Sequence, residues 1–198
     1  MGLKIDYIPG QTPIDDEEKD GLLIKSISTR EELDEFEHQN IQSAIKWTIG
    51  KKLVKEEVLT IDFVNNLHKR MFGEVWHWAG KFRKTNKNIG IDRLQIPTQL
   101  QTLLDDCTYW IDHGTYKPDE IAVRFKHRIV SIHCYSNGNG RHSRLIGDLI
   151  TNILKQPFFT WGSGADLAKD NETRAKYLLA IKKADDGNIA PLLHFART

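Results

Sequence analysis

Ile132-His133-Cys134-Tyr135-Ser136-Asn137-Gly138-Asn139-Gly140-Arg141-His142-Ser143-Arg144 crowds histidine, glycine, asparagine and arginine into one turn and the start of a helix. Upstream, Ile121, Phe125, Ile129 and Ile132 recur at helix spacing, and downstream Leu145, Ile146, Leu149, Ile150, Ile153 and Leu154 do the same. The stretch therefore reads as helix, tight turn, helix. Gly138 and Gly140 let the backbone take positive φ and approach a ligand closely. The second helix begins inside the motif, so its unpaired N–H groups and positive dipole end suit an anion such as phosphate. Arg141 and Arg144, three residues apart, can add forked hydrogen bonds to that anion. His133, at the other lip, supplies the side chain best matched to taking a proton near neutral pH.

Together these residues imply transfer of a phosphate-containing group from a nucleotide, with His133 activating an acceptor hydroxyl. A capped helix end with surface arginines would not account for the histidine, the glycines and the arginines at these spacings. His127, His133, His142 and Cys134 are an alternative metal-ligand set, but a helix-to-turn path does not converge them. No G-x-x-x-x-G-K-[ST] run occurs, which excludes a standard P-loop.

The run HCYSNGNGRHSR, His133 to Arg144, resembles the signature H-x-[FY]-x-[DEN]-G-N-G-R-x-x-R of Fic (filamentation induced by cAMP) domain proteins. From about Glu31 to Phe195 the chain is similar to that domain in general character, and most like the bacterial subgroup called mobile mystery protein B. The resemblance implies a mostly α fold, a helical bundle with a short β-hairpin flap beside the active site. It also implies transfer of AMP from ATP to a Ser, Thr or Tyr hydroxyl of a target protein, with Mg²⁺ as cofactor. Carried over, His133 is the general base, and Asn137, Gly138, Asn139 and Gly140 form the nucleotide nest. Arg141 holds the β-phosphate and Arg144 the γ-phosphate. Asn137 is also the metal ligand, where the family usually has Asp or Glu, so its neutral amide should bind Mg²⁺ less strongly. Cys134 stands where proline is usual and Tyr135 where phenylalanine is. Gly140 favours AMP transfer, since the related Doc toxins, which move the γ-phosphate, have lysine there. The alternatives are removal of AMP from proteins by the same site, and a non-catalytic nucleotide-binding regulator.

Two further segments carry the resemblance. Trp78-Ala79-Gly80-Lys81-Phe82-Arg83 matches a W-A-G-x-x-R run that leads into the target-docking flap. Thr85, Asn86, Asn88, Ile89 and Gly90 would form that flap, with turn formers beside the strand-like Ile89, Ile91, Leu94 and Ile96. An exposed strand edge there could pair with the target's backbone. Ser28 to Glu32 fits the first five positions of an inhibitory S/T-x-x-x-E-G/N helix, though Leu33 replaces the last, so Glu32 is the candidate inhibitor of Arg144. A capping box explains Ser28 and Glu32 equally well.

The rest of the chain reads as scaffold. Its 198 residues carry a net charge of +1, which argues against a broad electrostatic nucleic-acid footprint. Two cysteines make no disulfide framework, and no apolar run reaches the roughly 20 residues that span a bilayer. The expectation is a soluble protein of the bacterial cytoplasm, with a homodimer and an antitoxin-like inhibitory partner both compatible with the resemblance. Residues 1–27 read as an extended N-terminal arm that buries little, and 28–198 as one domain. Further helices are expected from Ser28 to about Gly50, Thr60 to Phe72, Pro97 to His113, Pro118 to Ile132 and Asn171 to Ala184. His68 is read as a core-edge histidine. Gln156 to Leu167 is a loop whose Phe158, Phe159 and Trp161 either wall an adenine pocket or cover the core.

Overall fold

In a computed structural model, the protein is described over residues 12–162, 167 and 171–198. In chain order the helices are α1 (Asp16–Lys19), α2 (Arg30–Ile49), α3 (Lys55–Val58), α4 (Ile61–Phe72), α5 (Ile96–His113), α6 (Pro118–Ile132), α7 (Asn139–Ile153), α8 (Glu172–Asp185) and α9 (Ala190–Arg197). The central packing is α6 against α7, flanked by α5 on α6 and α4 on both α2 and α7, while α8 and α9 pair and close the far side.

Local chemistry explains the ends. The Thr60 hydroxyl accepts from Phe63 N–H and starts α4, and Asn171 does the same for Arg174 in α8. Gly114, at φ 58°, stops α5 in the left-handed conformation. Prolines near the start of α5, α6 and α9 occupy positions that need no N–H donor. Burial of Val64, Leu67 and Met71 from α4, Phe125 from α6, and Ile146 and Ile150 from α7 builds one apolar core. Each such side chain contributes about 1.5–3 kcal/mol.

Three expectations need correction. After α8 the chain forms a further helix, α9, where the sequence reading placed none, because Pro191 and the apolar Leu192, Phe195 and Ala196 favour a buried turn. The flap does not form paired strands: residues 84–92 are a bent loop, since its backbone carbonyls are taken by the Arg83 guanidinium and not by a partner strand. From Thr12 onward the arm is not a solvated tail either. Thr12 and Ile14 are buried, and Leu23 N and His77 N bond to Val75 O and Gly21 O at 2.9 and 2.8 Å. Residues 1–11, including Pro9 and Gly10, and Gly164 of the later loop lie outside the described residues.

Candidate active site

The motif turn is closed by its own side chains. His133 ends α6 at φ 57° and ψ 63°, an uncommon conformation for a residue with a side chain. It is retained because Arg83 Nε donates to His133 O at 2.7 Å and Arg83 N donates to Cys134 O at 2.9 Å. Across the turn, Asn139 Oδ1 accepts from Tyr135 N at 3.0 Å and Asn139 Nδ2 donates to Tyr135 O at 2.7 Å. The Asn139 side chain thus clamps the loop, and only its backbone remains for an anion.

His68 supports the turn from below. It is fully buried, stacks on Tyr135 with centroids 3.7 Å apart, and bonds to Asn137 O at 3.0 Å through Nε2. Gly80 N–H donates to its Nδ1, so the ring proton sits on Nε2 and donates to Asn137. Burial first, then the neighbouring His142, holds its pKa well below the usual value, which keeps the ring neutral. Gly138, at φ 78°, lies against Phe72, and an added Cβ would come within 2.6 Å of that ring. Gly138→Ala is therefore expected to cost about 1–3 kcal/mol through strain and overpacking. A thermal melt indistinguishable from wild type would show that the turn has slack.

The two arginines differ in their partners. Arg141 Nη1 pairs with Glu37 Oε2 at 2.6 Å, and the other Glu37 oxygen accepts from Trp76 Nε1 at 2.6 Å. Its guanidinium also lies over Phe72, 4.9 Å from the centroid. Arg144 forms no ion pair among the described residues and lies over the Tyr177 ring, 5.6 Å from its centroid. Burial raises the Tyr177 phenol, but the charges of Lys126 and Arg144 outweigh it and draw its pKa down. A Cβ at Gly140 would meet nothing nearer than Arg144 Nη1 at 3.8 Å, so the α7 terminus is open on the side of this arginine.

His133 is 4% exposed. Burial, reinforced by the Arg83 charge, lowers its pKa to about 4. Nδ1 is buried without a partner in hydrogen-bond geometry, and the neighbouring Val130 carbonyl favours the proton there. Nε2 then offers its lone pair outward, where the Thr12 hydroxyl lies 3.2 Å away.

A cavity of about 1080 Å³ opens in front of these groups. His133, Asn137 to Arg141 and Arg144 line one wall, Ile89 to Ile91 of the flap loop another, and Trp161, Tyr177 and Leu178 a third. From α2 it receives Glu31, Asp34, Glu35 and His38. Trp161 is buried and held by Asp148 through its Nε1 at 3.1 Å, whereas Phe158 is exposed.

In the flap loop, Thr85 and Asn86 are occupied in holding the loop itself: Thr85 O and Asn86 Oδ1 both accept from Arg83. Asn88 and Ile89 are exposed, and Gly90 packs so closely that a Cβ would sit 2.6 Å from His133 Cβ. Glu32 makes no ion pair with Arg144 among the described residues. Its carboxylate accepts from Ser28 N at 2.8 Å and Thr29 N at 3.2 Å, completing the capping box of α2.

Asn137 fits a metal only as a lone neutral donor. Its Oδ1 already accepts from Gly138 N at 2.7 Å and its Nδ2 donates to Thr12 O at 3.1 Å. Among the described residues no group of three or more His, Cys, Asp or Glu could hold a metal ion, and His127, His133, His142 and Cys134 do not converge. Instead, His127 reaches Asp185 and His142 reaches Val64 O. Sequence reasoning missed Thr12, Glu37 and Lys87 and undervalued His68. A carboxylate on a buried helix stripe was the one readable signal for Glu37.

The sequence model of the Fic/DOC family matches residues 58–151. Protein adenylyltransferase Fic of Nematostella vectensis is 26% identical over 167 residues, covering 82% of this chain and 37% of that protein. Its Drosophila melanogaster namesake is 28% identical over 151 residues, 74% of this chain and 29% of that protein. The chain thus spans about a third of the length of the curated relatives it matches. Among solved structures, Fic-1 from C. elegans superposes with a TM-score of 0.64 at 23% identity, over 97% of this chain and 50% of that one. BepC from Bartonella tribocorum, with bound AMPPNP, gives 0.68 at 15% identity over 92% and 97%. These neighbours share the fold. The segment that resembles the Fic/DOC family, residues 58–151, includes His133, Gly138 and both arginines.

Proposed function

We propose that the chain is a protein adenylyltransferase, moving AMP from ATP to a Ser, Thr or Tyr hydroxyl of a target protein. The observation that carries this reading is the neutral, buried imidazole of His133 with a hydroxyl oxygen 3.2 Å from its Nε2, beside the open N-terminus of α7. The activity for which the adenylyltransferase relatives are named supports it. In this reading Nε2 accepts the proton of the acceptor hydroxyl as its oxygen attacks the α-phosphorus, and pyrophosphate leaves. The first-turn N–H groups of α7, with Arg141 and Arg144, face the charge that gathers on the leaving phosphates. Mg²⁺, when bound, neutralises phosphate charge; it would rest on the nucleotide's own oxygens with Asn137 as a protein donor. An antitoxin-like inhibitor would act by bringing a carboxylate to Arg144. The exposed Asn88 and Ile89 leave the flap loop a docking edge for the target.

Hydrolytic removal of AMP is the second reading, favoured by Glu31, Asp34 and Glu35 on the cavity wall, any of which could orient water. Incubation with α-labelled and, separately, γ-labelled ATP discriminates. Label on protein from the α position alone, absent in His133→Ala, is the expected result. Label from the γ position, or loss of AMP from a pre-modified protein without any gain, would overturn it.

A further inference from the structure

We propose that Thr12 is an acceptor built into the chain, so that the site adenylylates its own N-terminal arm in cis; this rests on the transferase reading above. Thr12 is not loosely placed. Its hydroxyl meets His133 Nε2 at 3.2 Å and its carbonyl accepts from Asn137 Nδ2 at 3.1 Å, so both ends of the motif turn grip one residue. Three residues on, Asp15 Oδ2 accepts from Thr85 Oγ1 at 3.1 Å and from Lys87 Nζ at 2.7 Å. Glu18 adds a second carboxylate to Lys87, whose side chain is only 3% exposed. Trp78 Nε1 donates to Glu18 O at 3.1 Å, and the arm then pairs with residues 75–77.

The arm therefore runs along the flap loop and delivers a hydroxyl to the base. In the transferase reading a target segment would take the same route, and Thr85 and Lys87 make the polar contacts that fix the register of the arm. A threonine serving only as a packing residue has no need of a base at its oxygen or of this ionic latch. In the step itself, the Thr12 Oγ–phosphorus bond forms and the bond from the α-phosphorus to the bridging oxygen breaks. Pyrophosphate leaves and the hydroxyl proton passes to His133 Nε2. The product arm carries a bulky anion where a buried hydroxyl had been, which disfavours its return to the groove.

The test is peptide mapping of the purified protein after incubation with α-labelled ATP and Mg²⁺, with proteins of a cell lysate present as external acceptors. The expected result is label on the Thr12 peptide at a rate per molecule independent of protein concentration. Label should be lost in Thr12→Val and kept in Thr12→Ser, and a His133→Ala chain mixed with wild type should stay unlabelled. Label on lysate proteins with an unmodified arm would overturn the proposal and leave the transferase reading intact. Label on the arm of the His133→Ala chain would overturn the cis arrangement. No label on any protein would overturn both.

Discussion

Replacement of His133 by alanine is expected to lower AMP transfer by about 10²–10⁴-fold, the usual contribution of a positioned base, with little loss of nucleotide affinity. The pH dependence is the sharper check. An imidazole acts as base only when neutral, and burial beside Arg83 holds the His133 pKa at about 4. Activity of the free enzyme, read as kcat/KM, should therefore persist as pH falls through the ordinary histidine value and be lost only toward pH 4. Bound nucleotide brings negative charge to the same site and favours imidazolium, so the acid limb of kcat should lie at higher pH than that of kcat/KM. Coincident limbs near the unperturbed histidine value would remove His133 from the role of a buried base.

Glu37→Ala should have the largest effect on stability. Glu37 is 3% exposed and holds both Trp76 and Arg141, joining α2 to the turn after α4 and to α7. Removing it leaves an indole N–H and a guanidinium without their partner. Breaking such a pair from one side costs about 3 kcal/mol, taken at the low end because Arg141 is partly exposed. For a domain of this size that is a fall in Tm of roughly 6–12 °C. Glu37→Gln keeps an acceptor for Trp76 and should lose less. Equal melting of both variants and wild type would show that the pair contributes nothing net.

Helices with a single apolar face were legible. The spacing of Ile121, Phe125, Ile129 and Ile132 fixes α6 to its last residue, and Thr60 marks the start of α4. The face of α2 was not. Its buried stripe is Leu33, Glu37, Asn40, Ala44 and Thr48, while Phe36 is partly exposed, because polar residues with dedicated partners take the inward positions. Asn40, for instance, bonds to Arg70 O and Glu74 N. A hydrophobic pattern registers such a helix at the wrong rotation. The resemblance to the Fic/DOC family was readable from the motif, since it depends on contiguous residues. What escaped are contacts closed by the tertiary fold: Thr12 reaches His133 across 121 residues and Glu37 reaches Arg141 across 104. An acidic run such as Asp15 to Glu18 looks solvated until a buried lysine is placed opposite it.

The Asn139 clamp on Tyr135 has a kinetic consequence. A turn already closed upon itself meets its ordering entropy when the chain folds and not when nucleotide arrives. Nucleotide entry is then governed by diffusion into an existing cradle. In the transferase reading a foreign target must first displace the arm, which two carboxylates hold to the buried Lys87. In the same reading, turnover on other proteins would be timed by the lifting of that arm, while the phosphate cradle stays as it was built.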